Sequence, residues 1–280
     1  MMKINEFKKV FDNASKELFN SLELINILNE TIRYSYFSGG KRLRPWIIYN
    51  IGRYYNVEEE KLFKIGFAIE ILHTASLIHD DLPAIDNSDY RRGNRTSHKE
   101  FGEWRAILTG DLGFILPYKI FYDNKLSKLY GFFSETVIKL IEGETLDVAF
   151  EKKLIVPSDK QILDMYEKKT SALFEFSFAF ASLLKDNQND FEILKNTGKS
   201  FGLAFQIYDD LKDLHGTFDE VGKDLSNDEN KYTLLKIMNQ DKAKKYADSL
   251  FDESILSLSK LKMNFLVDEL INIKSLIERK

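Results

Sequence analysis

The chain has no cysteine among its 280 residues, and it contains only four prolines and fourteen glycines. Without cysteine, a disulfide framework, a thiol nucleophile and a cysteine-ligated zinc site are excluded. Because no segment rich in Gly, Pro or Ser divides the sequence, we find no sign of a linker. We therefore expect one domain over residues 1–280, although this length is large for a single domain.

The sequence also lacks an excess of basic residues, since its formal net charge is −4 and its pI is about 5.7. Without a basic face, nucleic acid is not expected as a partner. The most apolar stretch, 173–184, is too short to span a membrane and contains Glu175. The first turns of the chain are charged and lack the apolar core of a signal peptide. These features predict no membrane span and a cytoplasmic location.

Apolar residues at spacings of three and four occur nearly throughout the chain, which is the pattern of amphipathic helices. This periodicity predicts an all-α fold, with helices over 2–20, 42–55, 58–82, 104–123, 125–150, 159–184, 188–214, 231–249 and 253–278. Two polar stretches, 186–190 and 226–230, are typical of turns or loops. A chain of this size can bury a large core.

Two clusters of aspartates lie within these helical patterns. They are Asp80, Asp81 and Asp86 in HDDLPAID, and Asp209, Asp210 and Asp213 in FQIYDDLKD. Gathered carboxylates raise one another's pKa unless a cation neutralises them. Two such clusters that face each other would hold several Mg²⁺ ions and a diphosphate, because Mg²⁺ binds through one or two carboxylates together with phosphate oxygens.

In the first cluster, six residues separate Asp80 from Asp86, which would place them about 240° apart on a continuous helix. Pro83 is expected to end that helix, since it disfavours helical geometry at Leu82. The chain is then expected to curl so that Asp86 returns toward Asp80.

In the second cluster, Asp209 and Asp213 are four residues apart and share a helix face, with Gln206 on the same stripe. Lys223 in EVGKD and Lys231 in NKYT follow shortly afterwards and would place cations near this cluster. Lysines in such loops are mostly surface residues, so only the neighbouring carboxylates argue for a role.

Cationic side chains also accompany the first cluster. Arg91 and Arg92 follow it in the loop-like segment SDYRRGNRTSH, and guanidinium groups suit bidentate contact with phosphate oxygens. In GGKRLRP, at 39–45, Lys41 and Arg44 follow two glycines, and glycines ahead of a helix start expose N–H groups to an anion.

Three further polar residues lie in apolar helical patterns. His73 precedes Asp80 by seven residues, or two helical turns, and so lies on nearly the same face. A lone histidine in an apolar helix is more often a satisfied core residue. Lys169 and Thr170, in MYEKKTSALFEF, begin an apolar helix and would place a cation near the clusters.

Together these segments resemble the trans-isoprenyl diphosphate synthases, in particular the bacterial farnesyl and geranylgeranyl diphosphate synthases. The matching segments are GGKRLRP, HTASLIHDDLPAIDNSDYRRG, KKTSALF, FGLAFQIYDDLKD and GKDLSNDENKYT. The resemblance implies a bundle of the isoprenoid synthase type, with about ten or more helices around a central cavity. It also implies a homodimer and head-to-tail prenyl transfer, in which an allylic diphosphate condenses with isopentenyl diphosphate.

Residue by residue, the resemblance implies several groups of site residues. Each active site would hold three Mg²⁺ ions, with Mn²⁺ as an alternative metal, and their ligands would be Asp80, Asp86 and Asp209, supported by Asp81, Asp210 and Asp213. The cations on the allylic diphosphate would be Arg91, Lys169 and Lys231. The isopentenyl diphosphate would be bound by Lys41, Arg44, His73 and Arg92, with Lys223 as a further substrate-binding residue. The polar residues facing the allylic carbocation would be Thr170 and Gln206.

The chain length of the product is open. Five residues before the first aspartate, bacterial farnesyl synthases typically carry Phe or Tyr as the floor of the product tunnel, whereas this chain has Ala75, followed by Ser76. The floor would then come from Leu72 or Ile71, or from a neighbouring helix such as 118–122. Farnesyl diphosphate is the expected product and geranylgeranyl diphosphate the alternative.

Some positions depart from the family pattern. Ser226 stands where Gly is usual and Glu144 where Gln is frequent, while Asp147 is retained.

Two other functions would show different patterns. A terpene cyclase would be expected to carry Asn, Ser and Glu in the second metal site, and it needs no second diphosphate site. A non-catalytic partner subunit would be expected to lose aspartates. Both alternatives are therefore less favoured than the prenyltransferase.

Overall fold

The computed structural model describes residues 1–213 and 232–278. Lys223, Ser226 and Lys231, and with them the loop predicted at 226–230, lie outside the described residues. The chain divides into two compact units, the first over residues 1–130 and the second, in its described part, over 131–213 and 232–278. A single domain over 1–280 stays a prediction.

The first unit is built from helices and one short hairpin. Its helices are α1 (Ile4–Ser21), α2 (Asn26–Phe37), α3 (Leu43–Tyr54), α4 (Glu59–Asp80), α5 (Ser97–Phe101) and α6 (Glu103–Asp123). Strands β1 (Tyr90–Arg91) and β2 (Asn94–Arg95) pair antiparallel between α4 and α5, and a 3-10 turn (Ser127–Leu129) follows α6.

Helix α4 is the core of this unit and packs against α3 and α6. Every residue from Ile65 to Leu72 is buried, so this middle part of α4 is covered on all sides. Within the described part of the chain, it alone is long and apolar enough to cross a membrane, and 67% of its most apolar window is buried inside the protein. Burial on this scale is that of a core helix, and the absence of a membrane span stays a prediction.

In its described part, the second unit is built from helices. They are α7 (Tyr130–Glu151), α8 (Asp159–Tyr166), a π-helical turn (Glu167–Ser171), α9 (Ala172–Leu184), α10 (Gln188–Asp213), α11 (Leu234–Ile237), α12 (Gln240–Lys260) and α13 (Asn264–Glu278). Every residue from Ala172 to Ser182 is buried. Helix α10 packs against α9 on one side and α12 on another, which makes α9 and α10 the core.

The all-α prediction is confirmed, and the bounds predicted for α1, α3, α4, α6 and α10 agree with the structure to within a few residues. Helix α2, the hairpin and α5 were missed by periodicity. The predicted division of the C-terminal helices at 250–252 is wrong, because α12 continues to Lys260. The break comes at Lys262, which has a φ of 59°. A non-glycine residue in this left-handed region carries no sequence signal.

Candidate active site

The first aspartate cluster lies where α4 ends. The backbone N–H of Asp86 donates to the carbonyl of Asp80 at 2.9 Å, and the N–H of Asn87 donates to the carbonyl of Leu82 at 3.0 Å. The segment around Pro83 is therefore a closed turn. The expected return of Asp86 toward Asp80 is confirmed.

Arg91, on β1, is bound to the second aspartate of this cluster. Asp81 is 3% exposed, and Arg91 donates to it from Nε at 2.8 and 2.9 Å, with Nη2 2.7 Å from Oδ1. Burial lowers the pKa of Arg91, but the charges of Asp81, Asp80 and Asp86 outweigh it, so that the pKa is raised. Arg91 therefore remains charged beside the three carboxylates.

The oxygen donors of this turn suit a hard cation. Within the described residues, no group of three or more His, Cys, Asp or Glu side chains lies close enough to enclose a metal ion. Asp80 and Asp86 nevertheless share one turn, and Mg²⁺ needs only one or two carboxylates when waters and phosphate oxygens complete its coordination. The residues thus fit a metal ion that is held jointly with a diphosphate.

The glycine pair ahead of α3 makes room for the side chain of Arg92, which is also predicted to bind a diphosphate. Gly39 and Gly40 have φ values of 123° and 120°, which glycine adopts at low cost. Arg92 Nη1 donates to the carbonyl of Gly39 at 2.6 Å. A Cβ on Gly40 would lie 2.9 Å from the same nitrogen. The GGKRLRP segment is thus shaped to accept a guanidinium group.

His73 lies half-buried on α4. Burial lowers its pKa well below 6.5, and the charges of Arg44, Arg92 and Arg91 lower it further. The imidazole is therefore neutral at pH 7. The structure brings His73 within electrostatic range of Arg44 and Arg92, as predicted, whereas Lys41 is exposed at the surface.

Arg42 is a residue that motif reasoning missed. Its side chain donates from Nε to Asp12 at 2.7 Å and from Nη1 to Glu70 at 2.6 Å, and it is 3% exposed. These two ion pairs, of which the one with Glu70 is buried, anchor the backbone between Lys41 and Arg44. The sequence KRLR gives no signal that separates the anchoring arginine from its neighbours.

An open cleft lies between α2, α4 and the hairpin. Its lining consists of Tyr34, Ser35, Ser38, Thr74, Leu77, Ile78, Asp81, Arg91, Arg92, Arg95, Thr96 and Ser97. Arg91 and Arg92, two of the three arginines predicted to bind diphosphate, therefore line the same cleft.

The second aspartate cluster lies at the end of α10. Asp209 is exposed and Asp210 is half-buried. Gln206 Nε2 donates to Asp210 Oδ1 at 2.9 Å, and the hydroxyl of Tyr166 donates to Asp210 Oδ2. Asp210 is thus held by protein donors, while Asp209 is exposed to solvent. Asp213 is the last residue of α10.

Lys169 and Thr170, on the π-helical turn, contact two different helices. Lys169 Nζ lies 2.6 Å from Glu144 Oε2 and 2.5 Å from Asp147 Oδ2, both on α7. Thr170 Oγ1 donates to Gln206 Oε1 on α10 at 2.7 Å. Thr170 and Gln206, both predicted to face the allylic carbocation, are therefore hydrogen-bonded to each other. Glu144 has a defined contact, since it is one of two carboxylates that hold Lys169.

Tyr166 is a second residue that sequence reasoning missed. It is 4% exposed, and burial, followed by the charge of Asp210, raises the pKa of its hydroxyl. The π-helical turn that follows it was also missed, because its apolar spacing resembles that of an α-helix. The MYEKKT segment contains no motif that marks either feature.

The residues predicted to control chain length lie on α4. Ala75 is 0% exposed, and a Cβ placed on Gly113 of α6 would lie 2.5 Å from the Ala75 Cβ. Ala75 is therefore in the contact between α4 and α6. Leu72 is fully buried, and Ser76 is half-buried, with its hydroxyl donating to the carbonyl of His73 at 2.9 Å.

Comparison with known proteins extends these observations. The family model of the polyprenyl synthetases matches residues 25–266. Over 243 residues, the chain is 32% identical to the farnesyl diphosphate synthase of Bacillus subtilis, covering 81% of each chain. It is 33% identical over 246 residues to the geranylgeranyl diphosphate synthase of Sulfolobus acidocaldarius, covering 81% of this chain and 74% of the relative.

Solved structures agree with the sequence relatives. The geranyltranstransferase of Thermotoga maritima superposes with a TM-score of 0.88 at 37% identity, covering 98% of both chains. A geranyltransferase of Helicobacter pylori, complexed with magnesium and isoprenyl diphosphate, gives a TM-score of 0.80 at 26% identity, covering 98% of this chain and 97% of the other. The chain described here belongs to the polyprenyl synthetase family and is an isoprenyl diphosphate synthase, a transferase of prenyl groups.

Proposed function

We propose that the chain condenses an allylic diphosphate, either dimethylallyl or geranyl diphosphate, with isopentenyl diphosphate to give farnesyl diphosphate. The observation that carries this proposal is the turn at the end of α4, where Asp86 returns to Asp80 beside the charged Arg91. A turn that gathers carboxylates next to a guanidinium group suits a metal-bound diphosphate.

The reaction is proposed to depend on Mg²⁺, with Mn²⁺ as an alternative. The proposed ligands are Asp80, Asp86 and Asp209, with Asp81, Asp210 and Asp213 in supporting or water-mediated roles. Asp81 supports Arg91 directly, and Asp210 is held by Gln206 and Tyr166. The Helicobacter pylori geranyltransferase, which is complexed with magnesium, supports the proposed metal dependence. When bound, the metal supplies positive charge that stabilises the departing diphosphate.

The chain's own cations complete the binding of the allylic diphosphate. Arg91 and Lys169 are proposed to bind its oxygens, together with Lys231, which lies outside the described residues. Lys169 is already held between Glu144 and Asp147, so its ammonium group is oriented before substrate arrives. Such preorganised charge is what ionisation of a carbon–oxygen bond requires.

Isopentenyl diphosphate is proposed to bind at Lys41, Arg44, His73 and Arg92, with Lys223 as a further contact outside the described residues. Neutral His73 donates an uncharged hydrogen bond there, while the arginines supply the charge. The double bond of isopentenyl diphosphate then attacks the allylic cation beside Thr170 and Gln206. A proton leaves the new cation to the released diphosphate.

A homodimer is also proposed. In the described chain, α6 exposes a set of large apolar side chains: Trp104, Ile107, Leu108, Ile115 and Tyr122. Leu108, Ile115 and Tyr122 recur every seven residues and so lie on one face. We propose that a second copy of the chain covers this face. A cytoplasmic location likewise remains a prediction.

Product analysis tests the function directly. The purified chain is incubated with Mg²⁺, isopentenyl diphosphate and each allylic diphosphate, and the products are separated by chromatography. Farnesyl diphosphate is the expected main product, and geranylgeranyl diphosphate is the alternative favoured by the small side chain of Ala75. A cyclic hydrocarbon would indicate a terpene cyclase. No product from the chain alone would favour a non-catalytic subunit.

A further inference from the structure

Tyr166 connects three segments of the second unit through one hydroxyl group. It is the last residue of α8. The hydroxyl donates to Asp210 Oδ2 on α10 and accepts the backbone N–H of Leu234, the first residue of α11, at 3.1 Å. The ring is buried, so water does not replace these bonds if the hydroxyl is removed.

The hydrogen bonds continue from Asp210 to the π-helical turn. Gln206 Nε2 donates to the second oxygen of Asp210 at 2.9 Å, and Gln206 Oε1 accepts the hydroxyl of Thr170 at 2.7 Å. Because a carboxylate can only accept, Gln206 must direct its nitrogen to Asp210 and its oxygen to Thr170. The hydrogen of the Thr170 hydroxyl is thereby committed to Gln206, and the lone pairs of its oxygen point away from that bond.

We propose that Tyr166 is a positioning residue for the prenyl transfer. It holds Asp210, and through Asp210 it fixes the amide of Gln206 and the hydroxyl of Thr170. This inference rests on the proposed function, in which Gln206 and Thr170 face the allylic cation. An oxygen held with its lone pairs outward stabilises a cation without first reorienting. If Asp210 loses its support, Gln206 and Thr170 become free to rotate.

Tyr166→Phe tests the inference because it removes one oxygen and keeps the packing of the ring. We expect kcat to fall about tenfold or more, since small misplacements of catalytic groups have effects of this size. The KM for isopentenyl diphosphate should stay unchanged, because the groups proposed to bind it are not part of this network.

Tyr208→Phe is the matched control. Tyr208 lies on α10, the helix that carries Asp210, and like Tyr166 it is buried, at 5% exposed; its hydroxyl donates to Asp248 at 2.6 Å. The control therefore loses the same kind of buried tyrosine–aspartate bond, but to Asp248 on α12 instead of Asp210. We expect the melting temperatures of both variants to fall by a similar amount. Turnover should fall only in Tyr166→Phe.

Two further measurements separate positioning from stability. In Tyr166→Phe, amide hydrogen exchange in the peptide containing Leu234 should become faster, because its N–H loses its acceptor. On a Thr170→Val background, Tyr166→Phe should add little to the loss of kcat, since the end of the network is already removed. A fully additive loss would contradict the proposed route through Thr170.

The outcomes are distinguishable. If the wild-type chain forms prenyl diphosphates and Tyr166→Phe keeps the wild-type kcat, the inference is overturned and the proposed function stands. If the wild-type chain forms no prenyl product, the proposed function fails and the inference fails with it. Equal losses of turnover in Tyr166→Phe and Tyr208→Phe would reduce Tyr166 to a structural residue and also overturn the inference.

Discussion

The backbone N–H of Asp86 donates to the carbonyl of Asp80 across 2.9 Å. This bond closes the turn at the end of α4 and brings together the backbones of two aspartates that a continuous helix would turn away from each other. Asp81, between them, faces inward and holds Arg91. Neighbouring aspartates of one motif therefore have different surroundings, and they should respond differently to substitution.

The first prediction concerns the metal. Asp80→Asn should lower turnover by at least about a hundredfold, because loss of charge stabilisation at the departing group has effects of this size. Asp209→Asn should act in the same way. Activity should require Mg²⁺ or Mn²⁺ and vanish in EDTA. Asp123→Asn, on the surface of α6 and paired with Lys119, is the control and should retain turnover. Full activity in EDTA would rule out the proposed metal dependence.

The second prediction separates the two diphosphate sites. Arg44→Ala should chiefly raise the KM for isopentenyl diphosphate, and His73→Ala should do so less. The reason is that a charged guanidinium contact is stronger than a bond from a neutral imidazole. Lys169→Ala should chiefly slow ionisation of the allylic substrate, measured in single turnovers. An Arg44→Ala variant that changes only the allylic KM would show that the sites are wrongly assigned.

The third prediction concerns product length. If Ala75 lines the tunnel, Ala75→Tyr should shorten the product while the first condensation continues. Because Ala75 also touches Gly113 of α6, the ring should overpack this contact and cost about 1–3 kcal/mol of stability. Gly113→Ala is the control for packing, since it crowds the same contact without adding a ring. Product chromatography and the melting temperature check both parts. An unchanged product distribution would assign Ala75 to packing alone.

The fourth prediction concerns assembly. Ile115, on α6, is 64% exposed in the described chain, and Ile115→Glu should convert the proposed dimer to a monomer, because a buried unpaired charge is costly. Leu154, in the segment after α7, is 76% exposed. Leu154→Glu is the control and should leave the sedimentation coefficient unchanged. A wild-type monomer at micromolar concentration would contradict the prediction.

The fifth prediction concerns pH. The pKa of His73 lies well below 6.5 because of burial and the neighbouring arginines, whereas an unfolded chain titrates near 6.5. Between these values the unfolded state binds more protons, so stability should fall as the pH drops below about 6.5. His98, whose pKa is also lowered by burial, should act in the same direction. The measurement is the fall in melting temperature on acidification. This fall should be largest for the wild type, smaller for His73→Gln, and smallest for the variant with both histidines replaced.

The sequence predicts those parts of this molecule that depend on local chemistry. Pro83 and the spacing of Asp80 and Asp86 were enough to predict the turn, because the proline acts on its own neighbours. Paired glycines at 39 and 40 marked a backbone that only glycine adopts easily. Apolar periodicity located α4 and α10, whose buried faces repeat over many turns.

Other parts depend on contacts between distant segments and carry little local signal. Arg42 looks like Lys41 and Arg44 in sequence, yet its partners, Asp12 and Glu70, lie far from it along the chain. Tyr166 likewise meets Asp210 only after α8 and α10 have packed. Such pairs become recognisable only when the fold places them together.

In the π-helical turn at Glu167–Ser171, two consecutive side chains contact different helices. Lys169 contacts α7 and Thr170 contacts α10. A π-helical turn is equivalent to one residue inserted into an α-helix. Deleting one residue here would rotate α8 against α9 by about 100°, so that Lys169 and Thr170 could not both keep their partners. The number of residues in this turn, as much as their identity, therefore determines where the two polar groups point.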